Sequence, residues 1–235
     1  MQHQKVLVLD FGGQYNQLIA RRVREQGVYC DLVPFNQSIE AILKYEPIGI
    51  IFTGGPNSVY AEDAPDVDRR IFELGIPILG ICYGCQLIAY ALGGDVTHAD
   101  TREYGKSEIR YSEESKLFRG VSKENICWMS HTDYVSRVPD GFTVTAKTET
   151  CPAAGFEDPR RNIYGIQFHT EVHHTVEGEK ILHNFLYEVC GAKGDWTMSN
   201  FVSEQVLALQ KKLSGKKVLC AMSGGVDSAV AATLI

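Results

Sequence analysis

Apolar residues open this chain in short buried-looking runs. Lys5–Leu9, Tyr29–Val33, Ile48–Phe52 and Ile76–Ile81 each read as a strand. Between them, Tyr15–Gln26, Ser38–Tyr45, Asp66–Leu74 and Gly84–Leu92 carry apolar positions at helical spacing, and glycine closes three of the four: Gly27, Gly75 and Gly93-Gly94. Apolar strands alternating with helices predict a mostly parallel central sheet covered by helices on both faces, an α/β fold.

The middle changes character. Ser107–Tyr111, Ile126–Met129, Phe142–Lys147 and Ala153–Glu157 read as antiparallel strands, with a turn at Asp158-Pro159-Arg160-Arg161-Asn162, and so add an antiparallel region to the sheet. Ile163–Phe168 returns as a strand and Glu177–Val189 as a helix before Gly191. These features predict a first domain over 1–191 and a linker with helix over 192–216, whose Val202, Val206, Leu209 and Leu213 form one helical stripe. A further α/β domain is then expected to start at 217–235. There Val218–Met222 reads as a strand, Ser223–Ser228 as a glycine loop and Ala229–Ile235 as the first turns of a helix, with the rest of that domain lacking. A strand built for burial but without partners is expected to be held by the first domain's face or by a second copy, giving a homodimer.

Composition narrows the function classes. Hydrophobic residues make up 44% and charged residues 22% of the 235 residues, as in ordinary globular proteins. The net charge is −6 and no basic block stands out, which argues against a nucleic-acid partner. Arg21-Arg22 and Lys216-Lys217 read as solvated faces. No apolar run is long enough to cross a bilayer, the start has no signal-peptide core, and the seven cysteines lack paired zinc spacings. The expectation is a cytoplasmic protein with reduced thiols, no membrane partner and no metal.

One cysteine stands apart. Gly80-Ile81-Cys82-Tyr83-Gly84 joins an apolar strand to a helix, and flanking glycines permit the sharp turn of a nucleophile elbow. The thiol would sit at a helix N-terminus, where partial positive charge suits a thiolate nucleophile. A buried structural cysteine is the plain alternative. The other six cysteines lack this setting and read as packing residues. Downstream, His169 and Glu171 end a strand two residues apart, so both side chains point to one side. A carboxylate beside an imidazole fixes its tautomer, making His169 a candidate base and Glu171 its orienting acid. A surface pair is the plain reading of His-x-Glu alone, and a His169/Glu171/His173 metal site is the less favoured reading of the same spacing. Oxyanion donors are expected from the N–H groups of Gly55, in the Thr53-Gly54-Gly55-Pro56 turn, and Tyr83.

Taken together, these residues resemble the class I glutamine amidotransferases. The family's GICYGxQ elbow matches Gly80 through Gln86. Its HPE motif matches His169-Thr170-Glu171, with threonine for proline, and its SGGPxSV loop matches Thr53 through Val59, with threonine for serine. Asp10-Phe11-Gly12-Gly13-Gln14-Tyr15, Gln17 through Arg24, Arg102-Glu103-Tyr104-Gly105 and Trp128 through Asp133 are similar to the branch whose ammonia aminates XMP to GMP. The resemblance implies a flavodoxin-like fold and hydrolysis of glutamine to glutamate and ammonia without a cofactor. It implies substrate contacts from Gln86, Ser130 and His131. Thr132 replaces the family's glycine in what reads as a loop beside the glutamine pocket, and Thr170 lacks proline's fixed φ between the two catalytic side chains.

Ser223-Gly224-Gly225-Val226-Asp227-Ser228, with Ala229, resembles the SGGxDS loop of ATP pyrophosphatases, whose N–H groups and hydroxyls cradle phosphates at a helix N-terminus. A plain glycine turn is the alternative. In the full-length enzyme, ATP and Mg2+ would serve XMP amination there; in this chain that half is expected to be incomplete. Two other functions fit the sequence: a free-standing cysteine peptidase or γ-glutamyl hydrolase with the same elbow, and a non-catalytic binding fragment.

Overall fold

A computed structural model describes residues 3–235, leaving aside the side chains of 100 and 101. The chain divides into two compact units, 1–195 and 196–235.

The first unit is built on one sheet. Five strands, β1 (Lys5–Asp10), β2 (Tyr29–Pro34), β3 (Gly49–Phe52), β4 (Ile78–Ile81) and β9 (Ile163–Ile166), pair in parallel in the order β2-β1-β3-β4-β9. Antiparallel strands continue it as β8 (Gly155–Asp158), β7 (Thr143–Lys147), β5 (Asp95–Tyr111) and β6 (Glu124–Arg137), nine strands among the described residues. The fold is the α/β arrangement with an antiparallel extension that the sequence predicts.

Strand alternation divides the core between the two faces. Val6 and Val8 point to one side, under α1 (Asn16–Glu25) and α4 (Gly178–Asn184), with Ile19, Val23, Ile181 and Leu182. Leu7 and Leu9 point to the other, under α2 (Ile39–Lys44) and α3 (Tyr83–Ala91), with Ile42, Leu87 and Ile88. Burial of both faces accounts for the continuous apolar strands.

Three expectations need correction. The predicted helix over Asp66–Leu74 is only a 3-10 turn, Arg69–Glu73. Asp66 and Asp68 accept hydrogen bonds from the Val67 and Arg70 N–H groups, a local alternative that competes with an α-helical start. The short strands expected at Ser107–Tyr111 and Ile126–Met129 are parts of a long hairpin, β5 against β6, whose register slips between His98 and Glu103. Val218–Met222 forms no strand. It runs irregularly, with Leu219 97% exposed, because a strand needs a ladder partner and its unit supplies none among the described residues. That second unit consists of α5 (Met198–Leu213), capped by the Thr197 hydroxyl, and α6 (Val226–Leu234).

α3 crosses β3 and β4 with no space to spare. A Cβ on Gly84 would lie 2.5 Å from the Phe52 carbonyl oxygen and 2.6 Å from its Cβ. Gly84→Ala therefore should destabilise the first unit by about 3 kcal/mol through overpacking, measured by urea denaturation. An unchanged midpoint would mean that the helix can lift off the sheet at no cost.

Candidate active site

The carboxyl ends of β1, β3, β4 and β9 surround one cavity of about 470 Å³, as expected for the crevice of an open parallel sheet. Cys82 stands at the end of β4 as the N-cap of α3, with φ 53 and ψ −107. A non-glycine residue at positive φ costs about 1–3 kcal/mol and persists only where its surroundings impose it. Here three backbone hydrogen bonds do so. Cys82 N–H donates to the Ile166 carbonyl (2.9 Å), Gly84 N–H to Thr53 (3.0 Å), and the Cys82 carbonyl accepts from Gln86 N–H (3.1 Å). The elbow is thus pinned to the ends of both neighbouring strands, and its thiol lies 3.8 Å from the Ser130 carbonyl oxygen.

His169 follows β9 and lines the same cavity. Its Nδ1 is 2.6 Å from Glu171 Oε1, and both side chains are buried. Threonine at position 170 does not loosen this pair, because the backbone is held on both sides. His169 N–H donates to the Trp128 carbonyl (3.1 Å), the His169 carbonyl accepts from the Thr175 hydroxyl, and the Glu171 carbonyl accepts from Arg22 Nε (3.0 Å). Arg22 is therefore not the solvated residue expected from sequence. Its side chain is only 12% exposed, whereas that of Arg21 is 73% exposed. No sequence pattern separates the two, since the distinction lies in which side of α1 faces residue 171.

Burial opposes charge on the His169 imidazole. The Glu171 carboxylate, with hydrogen bonding and charge from Cys82, outweighs burial and holds His169 well above its ordinary value. For five cysteines away from the cavity burial disfavours the charged form: it pushes Cys30 up to about 11 and Cys127 and Cys151 up to about 12, and raises Cys85 and Cys190 as well. Cys220 is exposed and so is not the packing residue expected of it.

The remaining predicted residues separate by position. Gly55, Gln86, Ser130 and His131 line the cavity with Cys82 and His169, while the Tyr83 side chain is buried beside it. Among the described residues, the Gly55 and Tyr83 N–H groups have no acceptor, as oxyanion donors require. Gln86 Nε2 donates to the Asp133 carbonyl (2.6 Å) and Gln167 Oε1 (3.2 Å), so its amide nitrogen is already engaged. His131 lies 3.3 Å from Glu103; burial raises that carboxyl, but His131 and Ser107 outweigh it and hold Glu103 at about 2. Thr132 belongs to β6, not to a loop, and meets the Tyr104 hydroxyl at 3.4 Å. Tyr15, Asn57, Ser58, Tyr104 and Asp133 also line the cavity and were not singled out as site residues. Tyr104 and Asp133 reach it through the unrecognised length of the hairpin.

His173 and His174 are otherwise engaged, His173 with Arg22 at 3.1 Å and His174 with the Trp128 ring, tilted at 35° with centroids 4.5 Å apart. Among the described residues, no group of three His, Cys, Asp or Glu side chains is disposed to hold a metal, and no helix is long and apolar enough to cross a membrane. In the second unit, Ser223 and Ser228 hydroxyls lie 3.3 Å apart at the start of α6, and the Ser228 hydroxyl donates to the Gly225 carbonyl (2.9 Å).

Residues 7–189 match the family model described as glutamine amidotransferase class-I. Over its full length the chain is 58% identical to glutamine-hydrolyzing GMP synthase of Caldicellulosiruptor saccharolyticus and 56% identical to that of Clostridium botulinum strain Hall, and it spans 46% of each. The chain thus covers about half the length of these relatives. Among solved structures it is similar to a putative GMP synthase subunit from Thermoplasma acidophilum, with 32% identity, a TM-score of 0.71, and coverage of 86% of this chain and 98% of that one. A glutamine amidotransferase from Thermotoga maritima shares the fold, with 20% identity, a TM-score of 0.60, and coverage of 92% and 86%.

A raised imidazole value has a defined thermodynamic sign. It contributes stability fully present below the unfolded value near 6.5 and lost as pH rises through the folded value. NMR titration of His169 should show imidazolium persisting above pH 6.5, and Glu171→Gln should lower the midpoint. That substitution should also reduce the stability advantage of mildly acidic over alkaline solution. A midpoint unmoved by Glu171→Gln would remove the carboxylate as the cause.

Proposed function

The chain belongs to the class I glutamine amidotransferases, and on that premise we propose that it is the glutaminase half of a GMP synthase. One observation carries this reading: the strained Cys82 elbow and the buried His169–Glu171 pair open onto a single cavity at the strand ends.

The chemistry follows from the parts. The Cys82 thiolate attacks the side-chain amide carbon of glutamine. Charge developing on the amide oxygen is met by the Gly55 and Tyr83 N–H groups. The His169 imidazolium gives its proton to the departing nitrogen, so ammonia leaves and a γ-glutamyl thioester remains. Neutral His169 then takes a proton from water, hydroxide attacks the thioester carbonyl, and glutamate departs as Cys82 becomes thiolate again. Glu171 keeps the imidazole in one tautomer and supports its charge. Gln86, Ser130 and His131 are the proposed contacts to the rest of the glutamine molecule.

The second unit has its own proposed role. Residues 217–235 would begin an ATP-pyrophosphatase domain, completed in a longer protein, with 192–216 as linker and helix. The α6 N-terminus and the Ser223 and Ser228 hydroxyls suit phosphate, so Ser223 through Ala229 would hold ATP with Mg2+ in that longer protein, while in this chain the incomplete loop binds no nucleotide. In the longer protein ATP would activate XMP for amination by the released ammonia. A cytoplasmic setting and a homodimer fit this reading.

Ammonia release from glutamine tests the glutaminase. Cys82→Ala should abolish it, while Cys85→Ala, away from the cavity, should not. Equal losses from both, with folding intact, would mean that the nucleophile is misassigned. ATP and XMP together should leave this chain's glutaminase rate unchanged, since it spans 46% of the length of the GMP synthases it matches; strong stimulation would contradict the proposed division of labour.

A further inference from the structure

The loop Asp10-Phe11-Gly12-Gly13-Gln14-Tyr15 has no part in the chemistry above, yet it is fastened with unusual care. The Asp10 carboxylate accepts from Gly12 N–H (2.7 Å) and from the Asn16 side-chain amide. Phe11 N–H donates to the Thr53 hydroxyl (3.1 Å). Gly12 takes φ 87, a left-handed value that suits glycine. A Cβ on Gly13 would lie 2.5 Å from the Gly54 carbonyl oxygen, so the loop presses directly on the turn after β3. All of these restraints converge on the last residue, Tyr15, which is the N-cap of α1 and lines the cavity.

The Tyr15 ring meets the His169 ring edge-on, with centroids 5.1 Å apart and planes at 75°. The imidazole is already occupied around much of its rim. Nδ1 faces Glu171, Cε1 would lie 3.5 Å from a Cβ on Gly54, and Cys82 lines the same cavity. The Tyr15 ring adds an edge-on contact to these. Such a contact opposes swinging of the imidazole about its Cβ–Cγ bond. A single hydrogen bond from Nδ1 to Glu171 fixes a pivot and a tautomer but permits a swing around that pivot. Among the described residues the Tyr15 hydroxyl makes no hydrogen bond, so the contact is made by the ring.

We propose that Tyr15 is a positioning residue for the glutaminase reaction: its ring is the stop that holds the His169 imidazole in line with both Cys82 and the departing nitrogen. This inference rests on the glutaminase reading of the site. Proton delivery depends on alignment at the reacting atoms, and a displacement on the order of 1 Å can cost about 100-fold in rate. Removing the stop should therefore act on kcat rather than on KM.

The experiment compares Tyr15→Leu and Tyr15→Phe in the intact chain, after confirming that wild type releases ammonia from glutamine. Absence of wild-type activity would overturn the glutaminase reading itself. Tyr15→Leu should lower kcat by about 10- to 100-fold with KM changed by less than about twofold, and Tyr15→Phe should restore the wild-type rate. A second readout needs no glutamine. Iodoacetamide alkylation of Cys82 at mildly acidic pH should slow several-fold in Tyr15→Leu and not in Tyr15→Phe, because a swung imidazole no longer partners the thiolate. A general loss of stability would instead lower the active fraction and leave the alkylation pH profile of the folded molecules unmoved. Wild-type kcat in Tyr15→Leu, a loss confined to KM, or an equal loss in Tyr15→Phe would each overturn the proposal, the last by transferring the role to the hydroxyl.

Discussion

The backbone of Cys82 is the constraint on which the site depends. A cysteine at φ 53 and ψ −107 would relax into an ordinary helical or extended conformation if its neighbours allowed it. They do not, because Cys82 N–H is tied to the end of β9 and Gly84 N–H to the end of β3. Gly84 has to lack a side chain for α3 to lie this close to Phe52. The same geometry sets Cys82 against the cavity and leaves the Tyr83 N–H without an acceptor among the described residues. Strain, helix packing and the proposed oxyanion donor are three consequences of one turn.

His169, the proposed base, is held by a different device. His169 and Glu171 lie beyond the last ladder pair of β9, where no sheet hydrogen bonds fix the chain. Contacts from four separate places replace them: Trp128 on β6, Thr175 ahead of α4, Arg22 on α1 and the Tyr15 ring. This accounts for the alignment of the pair at 2.6 Å with threonine between them. A rigid φ at 170 is one way to orient the two side chains, and bracketing the segment from outside is another. The elements that do the bracketing lie on both sides of the sheet centre in sequence, so the pair depends on the whole first unit having folded.

The parallel half of the sheet was legible because burial on both faces writes itself as apolar runs, and Val6, Leu7, Val8 and Leu9 are all buried. The elbow and the His-x-Glu pairing were legible because their geometry depends on local spacing. The hairpin was not. Residues 95–106 are mostly polar, and β5 shifts register between His98 and Glu103, so no sustained period-two signal marks that strand. Its concealment also hid Tyr104 and Asp133 as cavity residues and made a strand position, Thr132, look like a loop. Arg22 and Tyr15 were hidden for another reason: their roles arise from contacts to residues 171 and 169, far along the chain, and nothing in the local pattern reports them. Val218–Met222 shows the converse. Its composition is that of a buried strand, yet composition without a ladder partner makes no strand.

Covalent capture of the intermediate tests the central claim most directly. Enzyme turning over glutamine would be quenched in acid, which preserves thioesters, digested, and mapped by mass spectrometry. The account predicts one γ-glutamyl group, located on the peptide that contains Cys82 and released by hydroxylamine. Glutamate production with no adduct on Cys82, or an adduct on another residue, would contradict it.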